Sequence, residues 1–194
     1  MIARRKVLAA LAAGLAFGAT GATAAMSEKD KKKAKDDINK MEGQILAKLY
    51  KIQPGAKKTV ESAAGYATFS NFGVKIFFAG SGKGAGVAID KKSSKRVYMK
   101  MFEVQAGLGI GVKKFSLVWV FDNASALDKF VNSGWEIGGQ ASATAKKGEK
   151  GEAYTGAMAV SPGVWLYQLA GDGLAVELTG KGTKYYKDDG LNRK

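Results

Sequence analysis

The residues of this sequence that could do chemistry are mostly lysines, which gather in short groups. The candidate anion-binding residues are Lys31, Lys32, Lys33, Lys35, Lys57, Lys58, Lys91, Lys92, Lys95, Arg96, Lys113 and Lys114. A well-placed lysine or arginine contributes about 1 kcal/mol to binding an anionic membrane surface. Lysine at turns and strand edges also keeps β proteins soluble and blocks edge pairing. Both interpretations stay open, because the sequence does not show whether the groups share one surface.

Groups that catalyse reactions are scarce. The chain has no His and no Cys, so it lacks the commonest general base near neutral pH, the thiolate nucleophile, and the imidazole and thiolate ligands of metal sites. Glu103, Glu136 and Glu177 lie within apolar runs and are the best acid–base candidates. An outward-facing position on a strand explains each of them more simply. The sequence therefore predicts a protein that is not an enzyme and uses no metal and no cofactor.

Two segments carry glycine at alternate positions, which places the glycines on one face of a strand. They are Gly80, Gly82, Gly84 and Gly86 in the first segment and Gly107, Gly109 and Gly111 in the second. Three explanations compete: sheet curvature with close packing, a phosphate cradle and a shallow lipid groove. Neither segment opens onto a helix as a phosphate-binding loop does, so we interpret these glycines as structural. The aromatic residues expected to fill the space are Phe72, Phe77, Phe78, Phe102 and Trp119.

Residues 1–25 predict a cleaved export signal peptide. Three basic residues (Arg4, Arg5 and Lys6) precede a short apolar run, and small residues follow up to Ala25, which is the layout of a bacterial signal. The apolar run is shorter than the roughly 20 residues that span a bilayer. Removing the segment lowers the formal net charge from +14 to +11, because it holds those three basic residues and no acidic residue. We expect a periplasmic or secreted protein that meets anionic phospholipid or lipopolysaccharide rather than nucleic acid.

Residues 26–52 predict a basic-to-amphipathic helix that Ser27 caps. Its apolar stripe consists of Ile38, Met41, Ile45, Leu46, Leu49 and Ile52, with Lys40, Lys48 and Lys51 off the stripe. The stripe either packs on the core or lies in a membrane interface, and the absence of Trp and Phe favours the core. Pro54-Gly55 ends the helix, and a second helix is predicted over Ala56–Ala64 with Gly65 as its C-cap.

The chain from Tyr66 onward predicts strands with one intervening helix. The predicted strands are Tyr66–Ser70, Val74–Gly80, Gly82–Asp90, Arg96–Val112, Phe115–Phe121, Trp135–Ala145, Ala153–Ser161, Val164–Ala170, Leu174–Gly180 and Thr183–Tyr186. The helix begins after Asn123, buries Leu127, Phe130 and Val131, and stops at Gly134. Because the connections are short, neighbouring strands should be antiparallel. The predicted fold is α+β, with N-terminal helices packed on a glycine-rich, strongly curved, mostly antiparallel sheet or barrel, and residues 188–194 as a disordered tail.

Several motifs in the same order resemble the SYLF domain family. They are "PGAKKTVESAAGYATFSNFGVKIFFAGSGKGAGVAI", "FEVQAGLGIGVKKFSLVWVFDNASALDKFVNSGWEIGGQASA" and "GVWLYQLAGDGLAVELTGKGTKYY". The resemblance runs from Gln53 to Tyr186, so residues 53–187 are identified as a SYLF-like domain. One departure is Ser70, where the family often has proline. The resemblance implies binding of acidic lipids, phosphoinositides above all, and actin binding in some eukaryotic members.

These observations predict a lipid-binding protein. The expected function is non-enzymatic binding of anionic phospholipid headgroups at a membrane surface by an exported SYLF-like domain. The alternative is a structural or protein-interaction component of the cell envelope, in which the lysines serve solubility and the partner is another protein. Actin is an unexpected partner for an exported bacterial protein.

Overall fold

The computed structural model describes residues 26–71, 84–103, 115–137, 154–174 and 183–193. The helices are α1 (Glu28–Ile52), α2 (Gly55–Ser62), α3 (Ala124–Ser133) and α4 (Asp189–Asn192). The strands are β1 (Gly65–Ser70), β2 (Gly84–Asp90), β3 (Lys95–Glu103), β4 (Phe115–Phe121), β5 (Trp135–Ile137), β6 (Met158–Ser161), β7 (Val164–Ala170), β8 (Gly173–Leu174) and β9 (Thr183–Lys187). Helices packed on a curled, antiparallel half-barrel sheet confirm the predicted α+β class.

The described strands form one sheet in the order β5-β9-β3-β2-β1-β4-β7-β6, with β8 also paired to β7. Every pairing is antiparallel, as the short connections predict. β1 lies at the centre, where Gly65 is opposite Asp90 of β2 and Phe121 of β4. Strands β5 and β6 stand at the two ends of this order, so in the described residues the sheet curls without closing into a barrel.

Helices α1 and α2 cover one face of the sheet. The Ser27 hydroxyl accepts a hydrogen bond from the Asp30 amide at 3.1 Å, which satisfies one of the free donors at the start of α1. Ile38 and Leu49 are fully buried in the core beneath the helix, and Leu46 and Ile52 are partly buried against it. The apolar stripe therefore packs on the sheet, which settles the choice between core and membrane interface in favour of the core.

An aromatic cluster fills the opposite face, beneath α3. Trp119 lies between Phe130 of α3 and Tyr185 of β9, with a ring-centroid distance of 5.2 Å to each. Phe69 packs edge-on against Tyr185 at 4.9 Å. Leu127, Phe130 and Val131 are the buried side of α3 as predicted. Gly134 ends the helix with φ +71°, a backbone conformation that favours glycine.

The glycines of β2 have the structural role that their spacing predicts. A Cβ on Gly86 would stand 2.2 Å from the Thr68 carbonyl oxygen and 2.4 Å from Phe69 Cδ1. A Cβ on Gly84 would be similarly close to Met101 Cε and to the Ser70 carbonyl oxygen. The filler at Gly86 is Phe69, which the sequence analysis did not name. Of the aromatic residues predicted to fill the space, Trp119 is buried in the same aromatic cluster, whereas Phe102 is partly exposed.

Several other predictions fall on residues outside the described ranges. These are Gly80, Gly82, Gly107, Gly109 and Gly111, the fillers Phe72, Phe77 and Phe78, the strand Val74–Gly80, and the later parts of the strands that begin at Arg96, Trp135 and Leu174.

Two predicted boundaries are corrected by the structure. α2 ends at Ser62 with Ala63 as its C-cap, and Gly65 belongs to β1 because it pairs there with β2 and β4. β6 begins at Met158, so residues 154–157 of the strand predicted over Ala153–Ser161 lie outside it. Tyr154 leaves the sheet because its hydroxyl donates to Asp122 at 2.8 Å and its ring packs on Trp165 at 4.4 Å.

The C-terminal segment also differs from the disordered tail that the sequence predicts. The Asp188 carboxylate accepts from the Leu191 amide at 3.2 Å and caps α4, and Leu191 is buried against the α1 core. The Asn192 side chain donates to the Tyr98 carbonyl oxygen at 2.6 Å. The buried Leu191 side chain and the hydrogen bond from Asn192 to Tyr98 of β3 therefore hold this segment on the rest of the fold.

Candidate functional site

Arg96, one of the candidate anion-binding residues, is paired with a buried carboxylate of α1. Alternation along β3 turns its side chain toward α1, where Nη1 donates to Glu42 Oε2 at 2.6 Å and to Asn39 Oδ1 at 3.0 Å. The Tyr66 hydroxyl donates to the other Glu42 oxygen at 2.6 Å. Only 7% of the Glu42 side chain is exposed. The hydrogen bonds from Arg96 and Tyr66 satisfy the buried Glu42 carboxylate and hold α1 on the sheet.

Tyr66 gives this polar group a measurable pH dependence. Burial, followed by the hydrogen bond donated to Glu42, raises the pKa of Tyr66. The unfolded pKa is about 10, so the contribution is fully present below that pH and is lost as the pH rises toward the folded value. We expect the free energy of unfolding of the wild type to fall more steeply above pH 10 than that of Tyr66→Phe, as measured by urea unfolding. Equal slopes would contradict this assignment.

Three of the candidate lysines make local contacts on the helical side of the sheet. Lys31 pairs with Glu28 at 2.6 Å and Lys33 pairs with Asp37 at 2.9 Å. Lys35 Nζ lies 5.5 Å from the centre of the Tyr98 ring, within the range of a cation–π interaction. An exposed pair such as Lys33–Asp37 contributes little to stability, and 73% of the Lys33 side chain is exposed. Only 16% of the Lys31 side chain is exposed.

The structure brings a second group of lysines together around α2. Lys57 and Lys58 are exposed on this helix, with Lys57 Nζ 3.9 Å from Glu61 Oε1. Lys91 reaches across from the β2–β3 turn and donates to the carbonyl oxygens of Val60, at 3.3 Å, and of Glu61. A cation at the carboxyl end of a helix is favourable, because unpaired carbonyls gather there. The sequence placed these residues in separate groups, and the fold joins them.

Helices α1 and α2 together carry a surplus of positive charge. The two helices hold ten lysines and six carboxylates. Lys32, Lys40, Lys51 and Lys58 are exposed, and none of them forms an ion pair within the described residues. We call these four residues the lysine face. The sequence analysis did not include Lys40 and Lys51 among the candidate anion-binding residues. Their position off the apolar stripe of α1 could have indicated that they are exposed.

The remaining candidates do not join the lysine face. Lys95 lies on the opposite side of the sheet beside α3, because it precedes Arg96 on a strand and consecutive side chains alternate. Lys92 is exposed in the β2–β3 turn. Lys113 and Lys114 lie outside the described residues. The candidate groups therefore divide between the two faces of the sheet rather than forming one surface.

Across the described ranges, none of the helices combines the length and apolar character that crossing a membrane requires. In the same ranges, no three acidic side chains gather in an arrangement that could hold a metal ion. The side chains of the acid–base candidates Glu103, Glu136 and Glu177 are outside what the structure describes.

Comparison with known proteins agrees with the motifs. The Ysc84 family profile, described as "Las17-binding protein actin regulator", matches residues 102–194. Beta cell expansion factor A from Aeromonas veronii is 34% identical over 168 residues, which is 86% of this chain. The chain belongs to the SYLF family. It spans 62% of the length of that relative.

Membership of the SYLF family supports a lipid- or actin-regulator-related role. Las17 binding is part of the description of the Ysc84 family. The SYLF family is not known as an enzyme family.

Proposed function

We propose that this SYLF protein binds anionic phospholipid or lipopolysaccharide headgroups through the lysine face, without catalysis. The observation that carries the proposal is the exposure of Lys32, Lys40, Lys51 and Lys58 on two helices whose apolar sides are already used by the core. Because these ammonium groups form no ion pairs in the described structure, an anionic surface would meet them without displacing an internal partner. Phosphates attract such groups over distances of about 10 Å at moderate salt.

The proposed place of action is the periplasm or the cell exterior. The N-terminal layout of a basic start, a short apolar run and small residues up to Ala25 supports export. In this location the surfaces available to a basic protein are the phospholipid and lipopolysaccharide leaflets, and their charge is complementary to the lysine face.

Substituting three residues of the lysine face tests the proposal. We expect Lys40→Gln/Lys51→Gln/Lys58→Gln to weaken binding to phosphatidylglycerol vesicles at least about tenfold, because each lysine near the surface contributes about 1 kcal/mol. Vesicle flotation over a series of protein-to-lipid ratios gives the measurement. Binding by the wild type should be absent on phosphatidylcholine vesicles and should weaken as salt rises.

A matched variant on the other side of the sheet separates position from net charge. Lys95→Gln/Lys129→Gln/Lys187→Gln removes the same three charges, and we expect it to retain most of the vesicle binding. Equal losses in the two triple variants would show that total charge rather than the lysine face drives binding. Equal wild-type binding to neutral and anionic vesicles at low salt would contradict the proposal.

The alternative, a protein-interaction component of the cell envelope, predicts a different result. A stoichiometric protein partner, recovered by cross-linking in cells, together with no vesicle binding would favour it. The family description, which names a protein-binding regulator, is the observation that keeps this alternative in view.

A further inference from the structure

A partly open groove of about 220 Å³ lies between α3 and strands β2, β3 and β9. Ala88, Leu127 and Val131 form an apolar floor, and all three are at least nine-tenths buried. The space exists because the side chain at position 88 is only a methyl group, while Leu127 and Val131 hold the helix above it. This groove is on the face of the sheet opposite the lysine face.

Two ammonium groups stand at the rim of the groove. Lys187 Nζ donates to the Asn132 side-chain oxygen at 2.5 Å, which leaves two of its three donors for another partner. Lys95 Nζ has neither an ion pair nor a hydrogen bond to any described residue. Neither lysine therefore forms an ion pair with a carboxylate of the described chain.

The two carboxylates at the rim are already engaged. Asp90 accepts from the Lys92 amide at 2.9 Å and from the Ser93 hydroxyl at 2.7 Å, which closes the β2–β3 turn. Asp128 accepts from the Asn132 side chain one turn along α3. The hydrogen-bonding capacity left at the rim is therefore mainly that of the two ammonium groups, and an anionic head group with acceptor oxygens suits it. The charges of the two carboxylates make a dianion less favourable than a monoanion, because like charges repel at short range.

We propose that this groove binds a small amphipathic monocarboxylate, with its carboxylate between Lys95 and Lys187 and its alkyl chain on Ala88, Leu127 and Val131. An apolar cavity of about 150 Å³ accommodates benzene, so the groove suits a ligand of about ten non-hydrogen atoms. The inference does not depend on the membrane proposal, since it concerns the other face of the sheet.

Titration with octanoate at pH 8 tests the assignment, with calorimetry for affinity and amide chemical shifts for position. We expect saturable binding in the high-micromolar to millimolar range, which is typical of a ligand this small. The amides of α3 and of β2, β3 and β9 around the groove should shift. Octanol, octylammonium and octyl phosphate, which is largely dianionic at this pH, should each bind at least about threefold more weakly than octanoate.

Single substitutions that should keep the fold test whether the groove is the site of octanoate binding. Lys95→Gln should weaken octanoate binding about fivefold. Ala124→Leu, an exposed position at the rim, should block the groove and weaken it at least about tenfold. Lys129→Gln, on α3 but outside the groove, should leave octanoate binding unchanged.

Three results would overturn the proposal. They are the absence of octanoate binding up to 10 mM, octylammonium binding as tightly as octanoate, and equal effects of Lys95→Gln and Lys129→Gln. Phosphatidylglycerol vesicle binding should be unaffected by Lys95→Gln, so failure of this inference and failure of the lysine-face proposal are separately visible.

Discussion

Gly86→Ala is expected to lower the free energy of unfolding by about 3 kcal/mol. The added Cβ would stand 2.2 Å from the Thr68 carbonyl oxygen and 2.4 Å from Phe69 Cδ1. Both atoms belong to β1, the central strand, whose pairing with β2 on one side and β4 on the other prevents a shift. The ring of Phe69 is itself fixed by Tyr185 at 4.9 Å and Phe130 at 6.1 Å.

Thermal unfolding of the purified protein measures this effect. A loss of 3 kcal/mol corresponds to a decrease in Tm of roughly 10 °C for a chain of this size. Truncating the ring in Gly86→Ala/Phe69→Ala should not restore stability, because the clash with the Thr68 backbone oxygen remains and a cavity is added.

Gly43→Ala is the matched control, since it makes the same chemical change in a helix. No atom lies within 4 Å of a Cβ built on Gly43, which is exposed in the middle of α1. We expect this variant to raise the free energy of unfolding by about 0.5–1 kcal/mol, because alanine loses less backbone entropy on folding than glycine. Opposite signs for the two substitutions would confirm that the glycine in β2 serves close packing, and equal signs would contradict it.

Arg96→Met is expected to lower the free energy of unfolding by about 2 kcal/mol. Removing one partner of a buried ion pair leaves an uncompensated charge, which typically costs about 3–5 kcal/mol. The expected loss is smaller in this protein because 41% of the Arg96 side chain is exposed, so water reaches the pair. Glu42 would keep the hydrogen bond from Tyr66 and lose the guanidinium.

Urea unfolding midpoints of four proteins test this pairing. They are the wild type, Arg96→Met, Glu42→Gln and the double variant. We expect the double variant to be less destabilised than the sum of the two single variants, with a coupling energy of about 1–2 kcal/mol, since the two side chains share hydrogen bonds. Additive losses would show that the two residues do not interact.

Lys95→Met provides the control for losing a positive charge in the same strand. Lys95 is adjacent to Arg96 in β3, exposed, and without an ion pair among the described residues. We expect its free energy of unfolding to stay within about 0.5 kcal/mol of the wild type. A loss as large as that of Arg96→Met would mean that β3 is sensitive to any change of charge.

The sequence alone determined the features that depend on local spacing. The apolar stripe of α1 follows the helical period, so the buried positions Ile38, Ile45 and Leu49 could be predicted. Asn123 and Gly134 mark the ends of α3 because a cap and a glycine stop act within one turn. Short connections between strands allow only antiparallel pairing. The SYLF motifs, read in order, gave the family.

Only the tertiary structure decided which residues meet across the chain. Arg96 was grouped with neighbouring lysines, yet it pairs with Glu42, 54 residues earlier. Phe69 rather than a more distant aromatic residue covers Gly86, and Leu191 anchors a segment predicted to be disordered. The physical reason is that strand register and helix docking fix these contacts, and both depend on the packing of the whole sheet. Periodicity determined which side of each element is buried, and packing determined what each charged side chain contacts.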